Sequence, residues 1–456
     1  MRRSPEKKLR GLVNRLVLIA VCGLAALAVA GPGLAAVPPN VLVIVTDDQR
    51  AGTTTVMPKT AHWFGDQGRF FPRGFVTTPL CCPARASIFT GLYTHNHGVV
   101  NNGTSKLDHS LTLQRYLSEA GYKTAIVGKF LNSWWIRRAP PHFQHFAISA
   151  GSAGYYDSTF NIDGTVRQVS AYATTFTGRK TISYLRGFEQ NDDQPWFMYV
   201  ATRAPHPPAT PEPKYASAAV PPWSLNPAVL EQDRSDKPTW VRSQNNSRNA
   251  IRDLRAAQLR TLMSVDDLVG NVLKELGSLG ERRRTLAVFT SDNGFMWGEH
   301  GVASKRYPYT DSIKVPFLMR WPGVVNPGSR DSRFVTNVDV APTILAAAGI
   351  TPATPMDGRS LLDDWQRPHL FTEYWRDVDY TNIPGWESIR TRRVHYIRYY
   401  TDDRSKVVFR EYYRLKNDPW ELRNVFGDST ATNNPDTSRL NRLLRRYRNC
   451  SGTTCP

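Results

Sequence analysis

The stretch TPLCCPARASIFTGLYTHNHGV, Thr78–Val99, places two adjacent cysteines directly before a pattern typical of a short helix. Pro83 suits the first helical turn, where its missing N–H has no helical partner to lose, and Gly91 is placed to end the helix. Cys81 is therefore predicted to lie at a helix N-terminus, beside free N–H groups and the positive end of the helix dipole. Arg85 follows one turn later on the same face. Such surroundings favour a thiolate or a bound anion, so we expect the chemistry of the protein here.

Four short apolar runs on either side of this stretch are predicted to be strands of one sheet. They are Val41–Val45, Lys123–Val127, Trp196–Ala201 and Thr285–Thr290. Continuous runs of this kind are typical of strands buried on both faces, as in a parallel sheet. Helical patterns lie between the runs, the clearest over Asn249–Leu276. The alternation predicts an α/β fold with a large, mixed but mostly parallel sheet flanked by helices.

Polar side chains follow each of the four predicted strands. They are Asp47 and Asp48 after the first, Lys129 after the second, His206 after the third, and Asp292 with Asn293 after the fourth. Open α/β sheets bind ligands beyond the carboxyl ends of their strands, so we expect these residues to meet at one edge. The three aspartates and the asparagine offer only oxygen atoms. That set suits Ca²⁺ or Mg²⁺ better than a pair of zinc ions, which would require several histidines.

The cysteine motif resembles that of a known family. Cys81, Pro83 and Arg85 match the C-x-P-x-R signature of type I, formylglycine-dependent sulfatases. The longer string CCPARASIFTGLYTHNHGVVNN resembles the N-acetylglucosamine-6-sulfatase and heparan endosulfatase branch. DDQ at Asp47 and SDNG at Ser291 resemble the motifs with which the family binds one metal ion, usually calcium. The resemblance implies an alkaline-phosphatase-like sandwich.

The resemblance also implies a mechanism. In this family a formylglycine-generating enzyme oxidises the motif cysteine before folding, so Cys81 is expected to act as formylglycine. Its hydrate is a geminal diol: one oxygen, stabilised by the metal and Arg85, attacks sulfur, and the other hydroxyl later expels sulfate as the aldehyde re-forms. Lys129, His206 and Lys305 are expected to hold the sulfate oxygens, and His206 or Lys305 to protonate the leaving sugar alcohol. The implied metal ligands are Asp47, Asp48, Asp292, Asn293 and the converted Cys81.

Two positions depart from the family's pattern. Many sulfatases have a histidine two residues after the lysine that Lys129 matches, whereas this sequence has Leu131. The local string is closer to the G-K-Y-L-N of glucosamine-6-sulfatases and argues against a second histidine acid. The usual D-D-x-G is also altered, because Arg50 stands where the family has glycine. We assign no role to the remaining motif histidines, His95, His97 and His300.

The motifs and the resemblance together predict a sulfatase. Its expected substrates are sulfated sugars similar to glucosamine 6-sulfate, or aryl sulfates. Two alternatives stay open. Some relatives use formylglycine to hydrolyse phosphonates or phosphodiesters on the same scaffold. A non-catalytic binder of sulfated polysaccharide, with Cys81 never converted, would also carry the motif.

The 456-residue length suits a large α/β domain with a smaller companion. We predict a signal peptide over residues 1–36, a catalytic domain over 37–370 and a C-terminal α+β subdomain over 371–456. The runs VHYIRYY and VVFREYYRL in the last part indicate short antiparallel strands. Thr437–Tyr447 indicates a closing basic helix.

The N-terminus has the pattern of a secretory signal. Met1–Ala36 starts with basic residues and continues with the apolar run Leu16–Ala30 and small-residue cleavage sites. An uncleaved anchor is the alternative, although the run is short and alanine-rich for a membrane span. We therefore expect a secreted or periplasmic protein with no stable membrane insertion after cleavage. In an oxidising compartment Cys450 and Cys455 could form a disulfide.

The net charge of +19 favours polyanionic partners. The first 36 residues hold six Lys or Arg and one Glu, so the remainder still carries about +14. Nucleic acid, anionic lipid and sulfated glycan would all be attracted by this positive charge. The charge is equally compatible with a surface that is only solvated. No zinc finger, aromatic RNA platform or basic recognition helix is present in the sequence, so we expect no nucleic-acid partner.

Overall fold

A ten-stranded sheet organises the computed structural model, which describes residues 38–377, 382–427 and 430–456. Its strands are β1 (Asn40–Thr46), β2 (Arg69–Phe70), β4 (Lys123–Lys129), β5 (His145–Ser149), β6 (Ser158–Ile162), β7 (Thr165–Val169), β8 (Trp196–Ala201), β9 (Thr285–Ser291), β10 (Phe317–Arg320) and β11 (Ser329–Arg330). They lie in the order β11-β2-β10-β9-β1-β8-β4-β5-β6-β7. The predicted signal peptide lies outside the described residues.

The centre of the sheet is parallel. β1 lies between β8 and β9, with Val41 opposite Phe197 on one side and Leu286 on the other. β4 continues the parallel part beyond β8, whereas β10, β6 and β7 run antiparallel to their neighbours. The predicted mixed, mostly parallel sheet is therefore confirmed, and the four strands predicted from apolar runs are its four central neighbours.

Helices cover both faces of the sheet, which explains why Val41–Val45 of β1 are all apolar. The longer ones are α1 (Cys81–Thr90), α2 (Leu113–Glu119), α3 (Ala173–Glu189), α4 (Arg248–Ser278), α5 (Val340–Ala347) and α6 (Ser438–Arg448). Shorter helices are Pro58–Thr60, Thr94–His97, Thr239–Arg242 and Thr310–Ile313. Alternate residues of a strand point to opposite faces. Val43 packs with α1, α2 and α5, and Ile44 packs with α3 and α4 on the other side.

The C-terminal part forms a smaller antiparallel sheet with a helix, as predicted. Its strands are β13 (Leu370–Tyr374), β14 (Trp386–Arg390), β15 (Val394–Tyr400) and β16 (Val407–Arg414), in that order; β3 (Gly74–Phe75) pairs separately with β12 (Val335–Thr336). The ring of Tyr447 in α6 stacks on Phe371 of β13, with ring centroids 5.1 Å apart. The Cys450–Cys455 disulfide follows α6. Among the described residues, no helix is long and apolar enough to span a membrane.

Candidate active site

The structure brings the polar residues that follow the central strands together at the carboxyl edge of the sheet. The backbone N–H of Asp48 donates to Asp292 Oδ1 at 3.2 Å, and Asn293 Nδ2 donates to Asp48 Oδ1 at 2.6 Å. Lys129, the last residue of β4, donates to Asp47 Oδ2 at 2.5 Å. The ends of β1, β4 and β9 thus form one continuous polar site.

A tight turn after β1 directs two carboxylates into this site. Asp48 has φ 69°, in the left-handed region that aspartate tolerates better than most residues. The turn is fixed by the Gln49 N–H, which donates to Ser291 Oγ at 3.0 Å. Asp47 and Asp48 are both buried. Gln49 and Ser291 were not predicted as site residues, although both lie within the DDQ and SDNG motifs.

Cys81 lies at the N-terminus of α1, as predicted, and its sulfur faces the site. Cys81 Sγ is 2.8 Å from Lys305 Nζ and 3.5 Å from Asp47 Oδ1. The expectation of an easily formed thiolate is wrong for this thiol. Burial raises the pKa of Cys81 to about 12, despite the opposing charges of Lys129 and Lys305. A helix N-terminus alone does not compensate for removing a thiolate from water.

Cys82 points to a different environment from Cys81. Its sulfur accepts a hydrogen bond from the Asn132 N–H at 3.0 Å, and its own N–H donates to Asn102 Oδ1 at 3.2 Å. Both cysteines are free and buried. The two adjacent thiols are therefore distinguished by their contacts, and only Cys81 contacts the charged groups of the site.

Arg85 is fully buried, and its guanidinium group is hydrogen-bonded to other residues of the protein. Its Nε donates to Asp292 Oδ2 at 2.8 Å and its Nη1 donates to the Lys129 carbonyl at 2.7 Å. Burial works to lower the pKa of Arg85, but the negative charges around it, Asp292 first among them, together outweigh burial and the pKa is raised. Nη2 is buried without a hydrogen-bond partner among the described residues. Arg85 therefore ties the end of β9 to the end of β4.

Two lysines balance the carboxylates. Lys305 Nζ pairs with Asp48 Oδ1, and Lys129 pairs with Asp47. Burial opposes the charged form of both lysines, but the carboxylates raise the pKa of each. The same cations, led by Lys129, hold the pKa of Asp47 well below its usual value against the effect of burial. Both lysines are therefore ammonium groups at neutral pH.

His206 stands at the mouth of the site. Its Nε2 lies 3.8 Å from Asp48 Oδ2, and its Nδ1 lies 2.5 Å from the Pro207 carbonyl oxygen. Its side chain is 27% exposed, against 7% or less for Asp48, Lys129 and Lys305. His206 is therefore the residue of this group that solvent or a substrate can reach most directly.

The site contains a candidate metal centre. Ligand atoms of Asp47, Asp48, Cys81 and His206 lie within 4.8 Å of one another. Asp292 and Asn293 adjoin this group through their hydrogen bonds to Asp48. The predicted ligand residues are thus neighbours, and His206, which was not predicted as a ligand, comes within the same distance. Buried carboxylate and amide oxygens are a donor set that fits a hard divalent cation.

Arg50, which replaces the family's glycine, is held by two carboxylates. Its guanidinium pairs with Glu299 Oε1 at 3.0 Å and Asp311 Oδ1 at 2.6 Å. It also stacks over the Trp297 ring at 4.5 Å. These contacts tie the loop after Asp48 to the segments after β9, a connection that the sequence did not predict.

The other motif histidines lie outside the site and have structural partners. His95 Nδ1 is 2.8 Å from Glu373 Oε1, His97 Nε2 is 3.1 Å from Ser87 Oγ, and His300 Nδ1 is 2.7 Å from Glu231 Oε2. None of the three belongs to the group of ligand atoms around Cys81.

Two family models match the chain. The sulfatase model matches residues 39–350, and the model described as N-sulphoglucosamine sulphohydrolase, C-terminal, matches residues 298–449. The first of these covers the central sheet and every residue of the site described above.

Curated relatives match over most of the chain. Human N-acetylglucosamine-6-sulfatase is 30% identical, over 100% of this chain and 92% of the human protein. N-acetylglucosamine-6-O-sulfatase of Bacteroides thetaiotaomicron is 27% identical, over 85% and 83% respectively. An extracellular sulfatase Sulf-1 homologue of Caenorhabditis elegans is 31% identical over 78% of this chain. The matched region is only 54% of that longer protein.

Solved structures share the fold. A protein determined in complex with its substrate D-glucosamine-2-N,6-O-disulfate superimposes with a TM-score of 0.77 at 23% identity, covering 90% of this chain and 97% of that one. A sulfatase from Bacteroides fragilis gives a TM-score of 0.74 at 21% identity, covering 90% and 95%. The alkaline-phosphatase-like architecture is therefore confirmed. With the family model, the relatives and the fold in agreement, the chain belongs to the sulfatase family of sulfuric ester hydrolases.

Proposed function

We propose that this protein hydrolyses the 6-O-sulfate ester of glucosamine-type sugars, using Cys81 as formylglycine and one divalent metal ion. The substrate class is supported by the human and bacterial relatives that are named N-acetylglucosamine-6-sulfatases. It is supported further by the solved structure with a disulfated glucosamine as its substrate.

The observation that carries the proposal is the contact of Cys81 with Lys305 and Asp47 at the carboxyl edge of the sheet. The sulfur marks the place where an oxygen of formylglycine would stand after conversion. With a pKa of about 12, the unmodified thiol stays protonated at neutral pH and is a weak nucleophile. A protonated thiol is unsuited to thiolate chemistry, which supports a converted residue at this position.

Asp47, Asp48, Asp292 and Asn293 would hold the metal ion. The set is buried and offers oxygen atoms, which favours Ca²⁺, with Mg²⁺ as the alternative. A divalent cation there would offset the charge of the carboxylates and act as a Lewis acid toward the reacting oxygens. His206 Nε2 lies within reach of the same group, but a nitrogen ligand is not needed for a hard cation.

The chain's own cations would bind the sulfate group and move the proton. Lys129 and Lys305 are buried ammonium groups, so they are fixed donors for sulfate oxygens and stabilise negative charge that develops there. His206 stands at the open side and would protonate the leaving sugar oxygen, with Lys305 as the second candidate for that role. Arg85 would act by holding Asp292 and the end of β4 in place, because its bonds go to those groups.

Maturation and export belong to the same proposal. A formylglycine-generating enzyme would convert Cys81 before folding, and a signal peptide over residues 1–36 would direct the chain to the periplasm or outside the cell. Relatives named extracellular sulfatases support export. We also propose the division into a catalytic domain, 37–370, and a C-terminal subdomain, 371–456.

The proposal is tested by measuring sulfate released from N-acetylglucosamine 6-sulfate, with an aryl sulfate, an aryl phosphate diester and an aryl phosphonate as comparison substrates. The expected result is turnover of the sulfate esters that far exceeds turnover of the phosphorus esters and that is lost in Cys81→Ala. Faster turnover of a phosphonate or phosphodiester would support the alternative hydrolase. Binding of sulfated sugar without any hydrolysis by a converted enzyme would contradict the proposed function.

A further inference from the structure

The C-terminal part of the chain carries exposed arginines that form no ion pair with a carboxylate among the described residues. Residues 390–456 contain fifteen Lys or Arg and seven Asp or Glu, which gives this segment a net charge of +8. Some of these arginines are paired, such as Arg390 with Glu421 and Arg448 with Glu387. Exposed arginines that form no ion pair with a carboxylate among the described residues include Arg392, Arg393, Arg439, Arg442, Arg445 and Arg446.

Helix α6 presents several of these arginines on its outer side. Leu444 and Tyr447 are buried and attach the helix to the C-terminal core. Arg439, Arg442 and Arg446 are spaced three and four residues apart, so they share the opposite side of the helix. The Tyr447 hydroxyl donates to the His369 carbonyl at 3.2 Å, which fixes the helix beside the chain segment that precedes β13.

A groove lies between that segment and the turn that connects β14 to β15. Its volume is about 420 Å³, and its lining includes His369, Thr391, Arg392 and Arg393 but no acidic residue. Burial and the positive charge of Arg439 lower the pKa of His369. The charge of the helix therefore acts within this groove, and the arginines of the turn and the helix form one basic surface.

Arg73 and Lys314 are further cations close to the arginines of this surface. Burial and the charge of Arg392 lower the pKa of Arg73, and burial, Arg390 and Arg73 lower that of Lys314. Lys314 lines a cavity of about 390 Å³ whose wall includes Ala51 and Gly52, directly after the Asp47–Arg50 turn. The carboxylates of this cavity are paired: Glu299 and Asp311 with Arg50, and Glu421 with Arg390.

We propose that Arg392, Arg393, Arg439, Arg442 and Arg446, here called the arginine face, form an exosite that binds a sulfated polysaccharide chain. The exosite holds the polymer whose sulfate ester is hydrolysed at Cys81, so the choice of occupant rests on the proposed function. A polymer with an anion on most of its sugars offers many negative groups along one chain, whereas a single sulfated sugar offers only one or two. Binding at the face raises the local concentration of ester at the active site.

The chemistry of the face fits sulfate groups. Guanidinium groups present a planar set of donors that matches the oxygens of sulfate and carboxylate groups. Exposed arginines contribute through charge that salt screens, so the contribution falls as ionic strength rises. Because no acidic residue lines the groove, an anionic chain meets no like charge there.

The test compares two variants with the same loss of charge. The first is Arg392→Ser/Arg393→Ser/Arg439→Ser/Arg442→Ser, which removes four arginines of the face. The control is Arg167→Ser/Arg179→Ser/Lys274→Ser/Arg283→Ser, whose side chains are exposed and lack a carboxylate partner among the described residues. The control positions lie on β7, α3, α4 and the turn before β9. Binding is measured as the salt concentration that elutes each matured protein from immobilised heparin, with duplex DNA as competitor, and turnover is measured on heparin and on N-acetylglucosamine 6-sulfate.

The arginine-face variant should elute at clearly lower salt than wild type, and its kcat/KM on heparin at low salt should fall about tenfold or more. Its turnover of the monosaccharide should stay within about twofold, and the control should resemble wild type in both assays. Equal losses in the two variants would overturn the exosite, and so would tighter binding of duplex DNA than of heparin. If no protein hydrolyses any sulfate ester while the selective loss of heparin binding persists, the proposed function fails and the exosite stands.

Discussion

The ammonium nitrogen of Lys305 lies 2.8 Å from the sulfur of Cys81, and the same nitrogen pairs with Asp48. One side chain therefore contacts both the residue that would carry the nucleophile and a candidate metal ligand. Its raised pKa keeps it charged, so it can stabilise negative charge at either position.

Replacing Lys305 should greatly lower the rate at which the sulfate ester is hydrolysed. Lys305→Met is expected to lower kcat on a sulfate ester by about 10²–10³-fold, the range measured when one fixed donor to a developing charge is deleted. Lys274→Met, at an exposed position of α4, is the matched control. Thermal unfolding of both variants checks that the loss does not come from the unpaired Asp48. Near-normal turnover in Lys305→Met would contradict the role given to Lys305.

The metal prediction concerns the identity of the ion. Active protein should contain one alkaline-earth ion per chain, Ca²⁺ before Mg²⁺, because the buried donors are oxygens. Chelation should abolish turnover and lower the melting temperature, since bound metal stabilises the folded state by mass action. Elemental analysis of active protein measures the metal content. Two zinc ions and no alkaline-earth ion would refute the prediction of one bound alkaline-earth ion.

Much of the central sheet could be predicted from the sequence because β1, β4, β8 and β9 are continuous apolar runs between turn residues. The position of helix α3, in contrast, was not predicted. Its threonines and Gly178 have weak helix propensity, and packing against α4 overrides that preference. A Cβ on Gly178 would lie 3.2 Å from Leu268 Cγ, so the glycine permits the close approach of the two helices. Such contacts between distant segments have no local signature.

The candidate site was predictable to the same extent and for the same reason. Residues at strand ends must meet at the sheet edge, so the group around Asp47 and Asp292 followed from topology. Which side chains pair with each other within the group could not be predicted from topology. That Arg85 binds Asp292, and that burial keeps Cys81 protonated, depend on distances and solvent exclusion that only the folded chain defines.

Acid should destabilise the protein through His97. Burial lowers the pKa of this histidine to about 4, and its Nδ1 accepts a hydrogen bond from the Val99 N–H at 3.1 Å. The unfolded chain binds a proton near pH 6.5 and the folded chain only near pH 4. Stability is therefore lost as pH falls between these values, by up to about 3 kcal/mol.

Denaturant unfolding at pH 7, 5.5 and 4.5 measures this effect. His97→Gln cannot take up the proton, so its stability should fall less over the same interval, even if it is less stable at pH 7. His62→Gln, at an exposed position, is the control and should follow the wild-type profile. A profile of His97→Gln parallel to that of wild type would show that this histidine is not the group responsible.

The last prediction concerns the conversion of Cys81. Cys81 and Cys82 are adjacent, yet Cys81 contacts Lys305 and Asp47 while Cys82 contacts Asn132. In active protein the tryptic peptide of residues 74–85 should weigh about 18 Da less than its thiol form, because CH₂SH becomes CHO. The hydrate of the aldehyde nearly restores the original mass, so a hydrazide reagent is needed to capture the aldehyde, and fragmentation should place the label on Cys81.

Cys81→Ala should release no sulfate, whereas Cys82→Ala should retain most of the activity, since the contacts of Cys82 lie outside the charged site. Cys81→Ser should also be inactive unless the host can oxidise serine. Sulfate release by a preparation in which every Cys81 is still a thiol would refute the mechanism proposed for this protein.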